Sequence, residues 1–160
     1  MPSDNQLLKD TQLLLRELET LPPFASDLLM IRAGERAIKT RLSYAIDYNI
    51  FFDYLIDKEM ISSTEKKEIE AKELASITTL ELDTFLKLHM GTHAKSSSAR
   101  MKASLSVLFK YLTNVTKDLP ENNFLDVQKI KVQKKDYVVF LTREKQEILI
   151  NVEDVTNAGR

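Results

Sequence analysis

Apolar positions recur along this chain at helical spacing, interrupted by proline, glycine or dense charge. Residues 4–20, DNQLLKDTQLLLRELET, put Leu7, Leu8, Leu14, Leu15 and Leu18 on the apolar side of an amphipathic helix. Pro22 and Pro23 stop it, since proline lacks an amide donor and restricts the residue before it. A short helix, FASDLLMIRA, is expected next, ending near Gly34. From Lys39 to about Lys58 the pattern changes. Tyr44, Tyr48, Phe51, Phe52 and Leu55 share one face, while Leu42, Ile46, Ile50 and Tyr54 lie on the other side. A helix apolar nearly all round is buried among several neighbours. This one is therefore expected at the centre of a bundle, with packing tyrosines from Tyr44 onward.

Residues 62–77, SSTEKKEIEAKELASI, read as a short, solvated helix capped by Ser63 or Thr64. In TTLELDTFLKLHMG, Thr78 or Thr79 caps, Leu80, Phe85 and Leu88 supply packing, and Gly91 ends the helix. Residues 95–117, KSSSARMKASLSVLFKYLTNVTK, form the most informative helix. Met101, Leu105, Leu108, Phe109 and Leu112 make one apolar stripe, and Ser96, Arg100, Ala103, Ser106, Lys110 and Asn114 lie opposite. No acid occurs from Lys95 to Lys117, although acids and bases alternate elsewhere. After Pro120 the periodicity fails. Residues 119–141 read as an extended linker carrying Lys129, Lys131, Lys134 and Lys135, and a new helix starts at Thr142. The expected organisation is thus a helical domain over 1–118, a linker over 119–141 and the start of a second domain over 142–160.

Composition narrows the picture. With 160 residues and 43% hydrophobic content, the chain can bury a real core. Three glycines and four prolines are too few for a turn-rich sandwich or barrel, so the class is all-α. Cysteine is absent, which excludes disulfides and thiolate metal sites and suits a cytoplasmic protein. No apolar run reaches the roughly 20 residues of a membrane span, so no membrane partner is expected. Net charge is −1, so only the distribution of charge can argue for nucleic acid.

Enzyme chemistry is hard to place. There is no glycine-rich phosphate loop and no nucleophile elbow. His89 and His93 have the i, i+4 spacing of paired metal ligands, but Gly91 lies between them and no third ligand accompanies them. A helix-end or loop role is expected for both, with no metal, no cofactor and no small-molecule substrate. The acid-free helix differs. Short side chains beside Arg100 and Lys110 let a helix approach a phosphate backbone or enter a major groove, where arginine can grip a guanine edge with two hydrogen bonds. The first turn at Lys39, Thr40, Arg41 and Ser43, with Arg36 before it, offers a second basic patch at a helix N-terminus. Thr40 and Ser43 could equally be simple caps.

Several stretches together resemble the tyrosine recombinase (phage integrase) family. The T-x3-Y-x3-Y-x2-F pattern at Thr40, Tyr44, Tyr48 and Phe51 resembles the first long helix of its core-binding domain. LPPF at 21–24 and FFDYL at 51–55 resemble Xer-type members, above all the single-chain XerS-like recombinases. SSSARMKASLSVLFKYL at 96–112 is similar to that domain's fourth helix, and FLTREKQEILI at 140–150 to the beginning of the catalytic domain. The resemblance implies a SAM-like four-helix bundle with an additional N-terminal helix, bound to one face of duplex DNA. It implies DNA contacts from Lys39, Thr40, Arg41, Ser43, Lys95, Ser97, Arg100, Lys102, Ser106 and Lys110, with Lys134 and Arg143 on the backbone. Family members often carry a basic residue near the Ser106 position, so that contact departs from the pattern. The implied partners are a double-stranded recombination site and other recombinase protomers in a synaptic tetramer. The first helix and the 78–90 helix would touch a neighbouring protomer, and the setting would be the bacterial nucleoid. The family's catalytic arginine, lysine, histidine and tyrosine lie beyond position 160, so this stretch is expected to bind DNA and cut nothing. The competing expectation is a helical protein–protein interaction domain without nucleic acid.

Overall fold

In the computed structural model, residues 3–32 and 36–127 are described. The chain divides into two units, Met1–Leu125 and Asp126–Arg160. Nearly all of the second lies outside the described residues, together with the predicted helix at Thr142 and the sites Lys134 and Arg143. No strand occurs among the described residues, so the first unit is all-helical.

Helix α1 spans Asp4–Glu19, and Ser3 caps it by accepting a hydrogen bond from the Gln6 amide. Helix α2 covers Pro23–Asp27 and passes into a π-helical turn over Leu28–Arg32. Helix α3 runs from Ile38 to Asp57, α4 from Thr79 to Thr92 and α5 from Lys95 to Lys110, with a second π-helical turn over Tyr111–Val115. Thr78 and Glu81 form a reciprocal capping box on α4. Glycine does not end this helix: Gly91 stays helical, Thr92 is the last helical residue and His93 is the C-cap, contrary to the sequence expectation.

Helix α3 is the hub. Phe51 is fully buried, with Phe52, Phe85 and Phe109 at ring-centroid distances of 5.5, 5.2 and 6.3 Å. Phe24 from α2 meets Phe52 edge-on at 5.7 Å, and Phe124 stacks on Phe109 at 5.6 Å. Such aromatic pairs add roughly 0.5–1.5 kcal/mol each beyond area burial. The face of Tyr44, Tyr48, Phe51, Phe52 and Leu55 is buried as expected. The opposite side is not core. Leu42, Ile50 and Tyr54 are half-buried and Ile46 is exposed, while Asp47 and Asn49 are buried instead. Asn49 joins α1 to α3: its amide nitrogen donates to the Glu17 carbonyl and carboxylate, and its oxygen accepts from Thr20.

Other apolar expectations also shift. Leu14 is the only buried leucine of α1, whereas Leu7, Leu8 and Leu15 are exposed; on α4, Leu82 and Leu86 join Phe85 in the core and leave Leu80 and Leu88 in solvent. The predicted helix over 62–77 is instead a pair of 3-10 turns, Lys66–Glu68 and Ala71–Ser76. Neither Ser63 nor Thr64 caps it. The Glu73 carboxylate organises this segment, accepting from both the amides and hydroxyls of Ser62 and Ser63 and from the Glu70 amide. It is thus an ordered acceptor rather than part of a solvated face. Leu119 and Phe124 are buried, and Asn123 donates to the Ile77 carbonyl at 2.7 Å. The packed unit therefore continues past 118, and residues 119–125 of the expected linker belong to it.

Candidate nucleic-acid interface

The interface candidates lie on α3 and α5, and their packing determines which residues meet. Asp47 of α3 is bonded to Arg100 and Ser104 of α5, while Phe51 contacts Phe109. The contacts advance in the same sense along both helices, so α3 and α5 are parallel and begin at the same end of the bundle. Their positive dipole ends therefore lie together. Neither N-cap, Ala37 or Ala94, supplies a side-chain hydrogen bond, and neither first turn contains an acid. The capping role held open for Thr40 and Ser43 is not taken. First-turn amides without an internal acceptor suit an external anion, and phosphate is a natural one.

Helical spacing sorts the predicted site residues into two groups. Lys95, Lys102, Ser106 and Lys110 recur at i, i+7, i+11 and i+15 and form one stripe along α5, interleaved with Ala99 and Ala103. Lys95 and Lys110 are exposed and Lys102 and Ser106 half-exposed; none of these lysines forms an ion pair with a described residue. Ser97 and Arg100 belong to the flank that faces α3. On α3, Lys39, Thr40 and Ser43 precede Asp47 by eight, seven and four residues and share its side. They line the same seam. Arg41 turns away from it, donating from Nε to the Arg36 carbonyl at 3.3 Å, and the Arg36 guanidinium lies over the Tyr44 ring at 5.7 Å.

Arg100 is already engaged within the helical unit. Its Nε and Nη2 donate to the Asp47 carboxylate at 3.0 and 2.8 Å. Asp47 is fully buried and also accepts from the Ser104 hydroxyl at 3.2 Å, while the Ser104 carbonyl accepts from the Tyr48 hydroxyl at 2.8 Å. Those Asp47 hydrogen bonds raise the Arg100 pKa against the opposing effect of burial. Burial also pushes the Tyr48 phenol well above its usual value, with Tyr44 and Asp47 reinforcing the shift. Tyr48 is thus a neutral structural donor, as its place in the core requires. Sequence reading missed Asp47 because an acid in an apolar helix carries no mark of its partner. Arginine without a neighbouring acid on its own helix was the available signal.

The histidines have structural positions. His89 is buried in the last turn of α4, with Nδ1 2.8 Å from the Ser98 hydroxyl, in keeping with the expected helix-end role. His93 stacks on it at 3.8 Å with the ring planes almost parallel. Parallel rings do not aim their nitrogens at a common point, and no cluster of three or more potential ligands occurs among the described residues. A shallow cleft of about 320 Å³ is lined by Pro23, Phe24, Ile69, Ala71 and Asp118 together with Glu70 and Lys72. Its Lys72 and Glu70 pair with each other at 3.2 Å, and it contains no nucleophile–base arrangement. No described helix is long and apolar enough to cross a membrane. The chain matches no protein-family model, no curated protein and no solved structure.

Proposed function

We propose that the helical unit is a duplex-DNA-binding module of the SAM-like kind that forms the core-binding domain of tyrosine recombinases. The observation that carries this reading is the shared end of α3 and α5. Two uncapped, acid-free helix N-termini lie there, beside the Lys95–Lys110 stripe whose lysines have no ion pair with a described residue. Small residues between the lysines let the helix come close to a groove. Lys39, Thr40 and Ser43 extend the surface to α3, and Ser97 and Arg100 connect the two helices. On this reading the wider partners are a recombination site and neighbouring recombinase protomers, the setting is the nucleoid, and strand cleavage belongs to residues outside this stretch.

Salt-titrated binding to short duplexes tests the proposal. The Lys102→Ala, Lys110→Ala double variant should bind more weakly, with its log K against log salt slope reduced by about two, one unit per lost phosphate contact. An unchanged affinity and slope would remove α5 from the interface.

Protein–protein contact is the second reading. It is favoured by exposed Leu7, Leu8 and Leu15 on α1 and by Leu80 and Leu88 on α4. The recombinase reading assigns these same helices to a neighbouring protomer, so their exposed leucines alone do not separate it from a protein-only role. A protein-only role requires that the wild-type chain bind no duplex at low salt.

A further inference from the structure

The Asp47–Arg100 pair has a geometry with a specific consequence for recognition. A guanidinium has five N–H donors arranged around a rigid plane. Asp47 takes the side-on pair, Nε and Nη2. Left over are both hydrogens of Nη1 and the second hydrogen of Nη2, and one from each nitrogen forms the end-on fork. No described residue accepts from Nη1, and the side chain is 38% exposed. The plane is held from behind by a carboxylate that is itself fully buried and further fixed by Ser104. The seam between α3 and α5 thus contains an arginine with a locked orientation and an unoccupied two-donor edge.

We propose that Asp47 is a positioning residue that pre-aims the end-on fork of Arg100 at a pair of adjacent acceptors on duplex DNA. This rests on the DNA-binding reading above and adds a specificity element to it. Two acceptors side by side occur as O6 and N7 of guanine in the major groove and as two oxygens of one phosphate. A lysine supplies charge to either but cannot supply the fork. Ser97 of α5 and Thr40 and Ser43 of α3 line the same seam on its N-terminal side, placing hydroxyl donors where the flanking backbone would pass.

The decisive experiment exploits opposite signs. Asp47→Asn removes a negative charge close to the duplex, so electrostatics alone predicts tighter binding. Loss of aiming predicts weaker binding, because the fork is no longer fixed. We expect a several-fold fall for Asp47→Asn and a roughly tenfold fall for Arg100→Lys, which preserves charge and removes the fork. Both variants are titrated in the full 160-residue chain against a randomised duplex library and against an A·T-only duplex, after far-UV circular dichroism verifies the helical fold. If Asp47→Asn does not fold, Arg100→Lys carries the test, since its ammonium still pairs with the buried carboxylate. A fall confined to guanine-containing duplexes assigns the fork to the base edge, and an equal fall on both assigns it to phosphate; either supports the proposal. Tighter binding by Asp47→Asn, or unchanged binding by Arg100→Lys, overturns it. If that happens while the Lys102→Ala, Lys110→Ala variant still loses salt slope, the DNA reading stands and Arg100 is purely structural. A wild-type chain that binds no duplex overturns both.

Discussion

Arg100 and Asp47 should differ in how much stability each removal costs, although they share the same hydrogen bonds. Arg100→Ala strands the Asp47 carboxylate, whose side chain is 0% exposed, with only the Ser104 hydroxyl at 3.2 Å as a described partner. Stripping one partner from a buried ion pair costs about 3–5 kcal/mol, most of it the penalty of an uncompensated buried charge. Asp47→Ala strands Arg100 instead, but that side chain is 38% exposed and can swing into water. Its loss is that of hydrogen bonds to a charged group, about 1.5–3 kcal/mol. Arg100→Ala should therefore be the more destabilising by roughly 2 kcal/mol. The Asp47→Ala, Arg100→Ala double variant should fall near Asp47→Ala alone, giving a coupling energy about as large as the whole Arg100→Ala loss, about 3–5 kcal/mol. Urea unfolding of all four proteins, followed by far-UV circular dichroism at neutral pH, measures these differences as midpoint shifts at constant m. Equal losses for the two single variants, or a larger loss for Asp47→Ala, would refute the claim that burial of the carboxylate controls the energetics.

Two further predictions concern pH. Partial burial pushes the Glu73 carboxyl upward, but hydrogen bonds from the Glu70 amide and from Ser63 and Ser62 pull it down from 4.5 to about 2. Its folded value is below its unfolded one, so its contribution is full above about pH 4.5 and disappears as pH falls toward about 2. Because the group is partly exposed and screened, Glu73→Gln should cost on the order of 1 kcal/mol at neutral pH, with the gap to wild type closing on acidification; a pH-independent gap contradicts this. Burial, reinforced by the neighbouring His93, lowers the His89 pKa from 6.5. The unfolded chain then binds the proton more readily, so wild-type stability should decline as pH drops through 6.5 and below. A His89→Gln variant should lack this component of the slope, and matching pH profiles for the two proteins would exclude His89 as its source.

The hydrophobic period identified the five principal α-helices and the buried face of α3, because burial of an aromatic stripe dominates local choice there. It also isolated α5 as the acid-free helix, a property of covalent sequence that packing cannot alter. The same period failed on α1 and α4. Leucines at helical spacing can point either way, and the side buried depends on which neighbour arrives; Leu80 and Leu88 were displaced from the core by Leu82 and Leu86. Residues 62–77 were misread as a helix because the hydrogen bonds of Glu73, formed across the loop, outweigh a charge pattern with good local propensity.

The candidate interface was legible as residue types but not as an arrangement. Lysines without nearby acids can be read along one strand of text; parallel alignment of α3 with α5 cannot. That alignment gathers two open N-termini at one end and brings Arg100, 53 residues away in the chain, onto Asp47. Sequence by itself determined an all-helical unit with an aromatic hub and one helix free of negative charge. Tertiary structure alone decided that the hub helix would bury a carboxylate and that the carboxylate would orient an arginine. Burying a charge is tolerable only where an opposite charge can reach it, and that proximity comes from packing between helices, not from periodicity within either one.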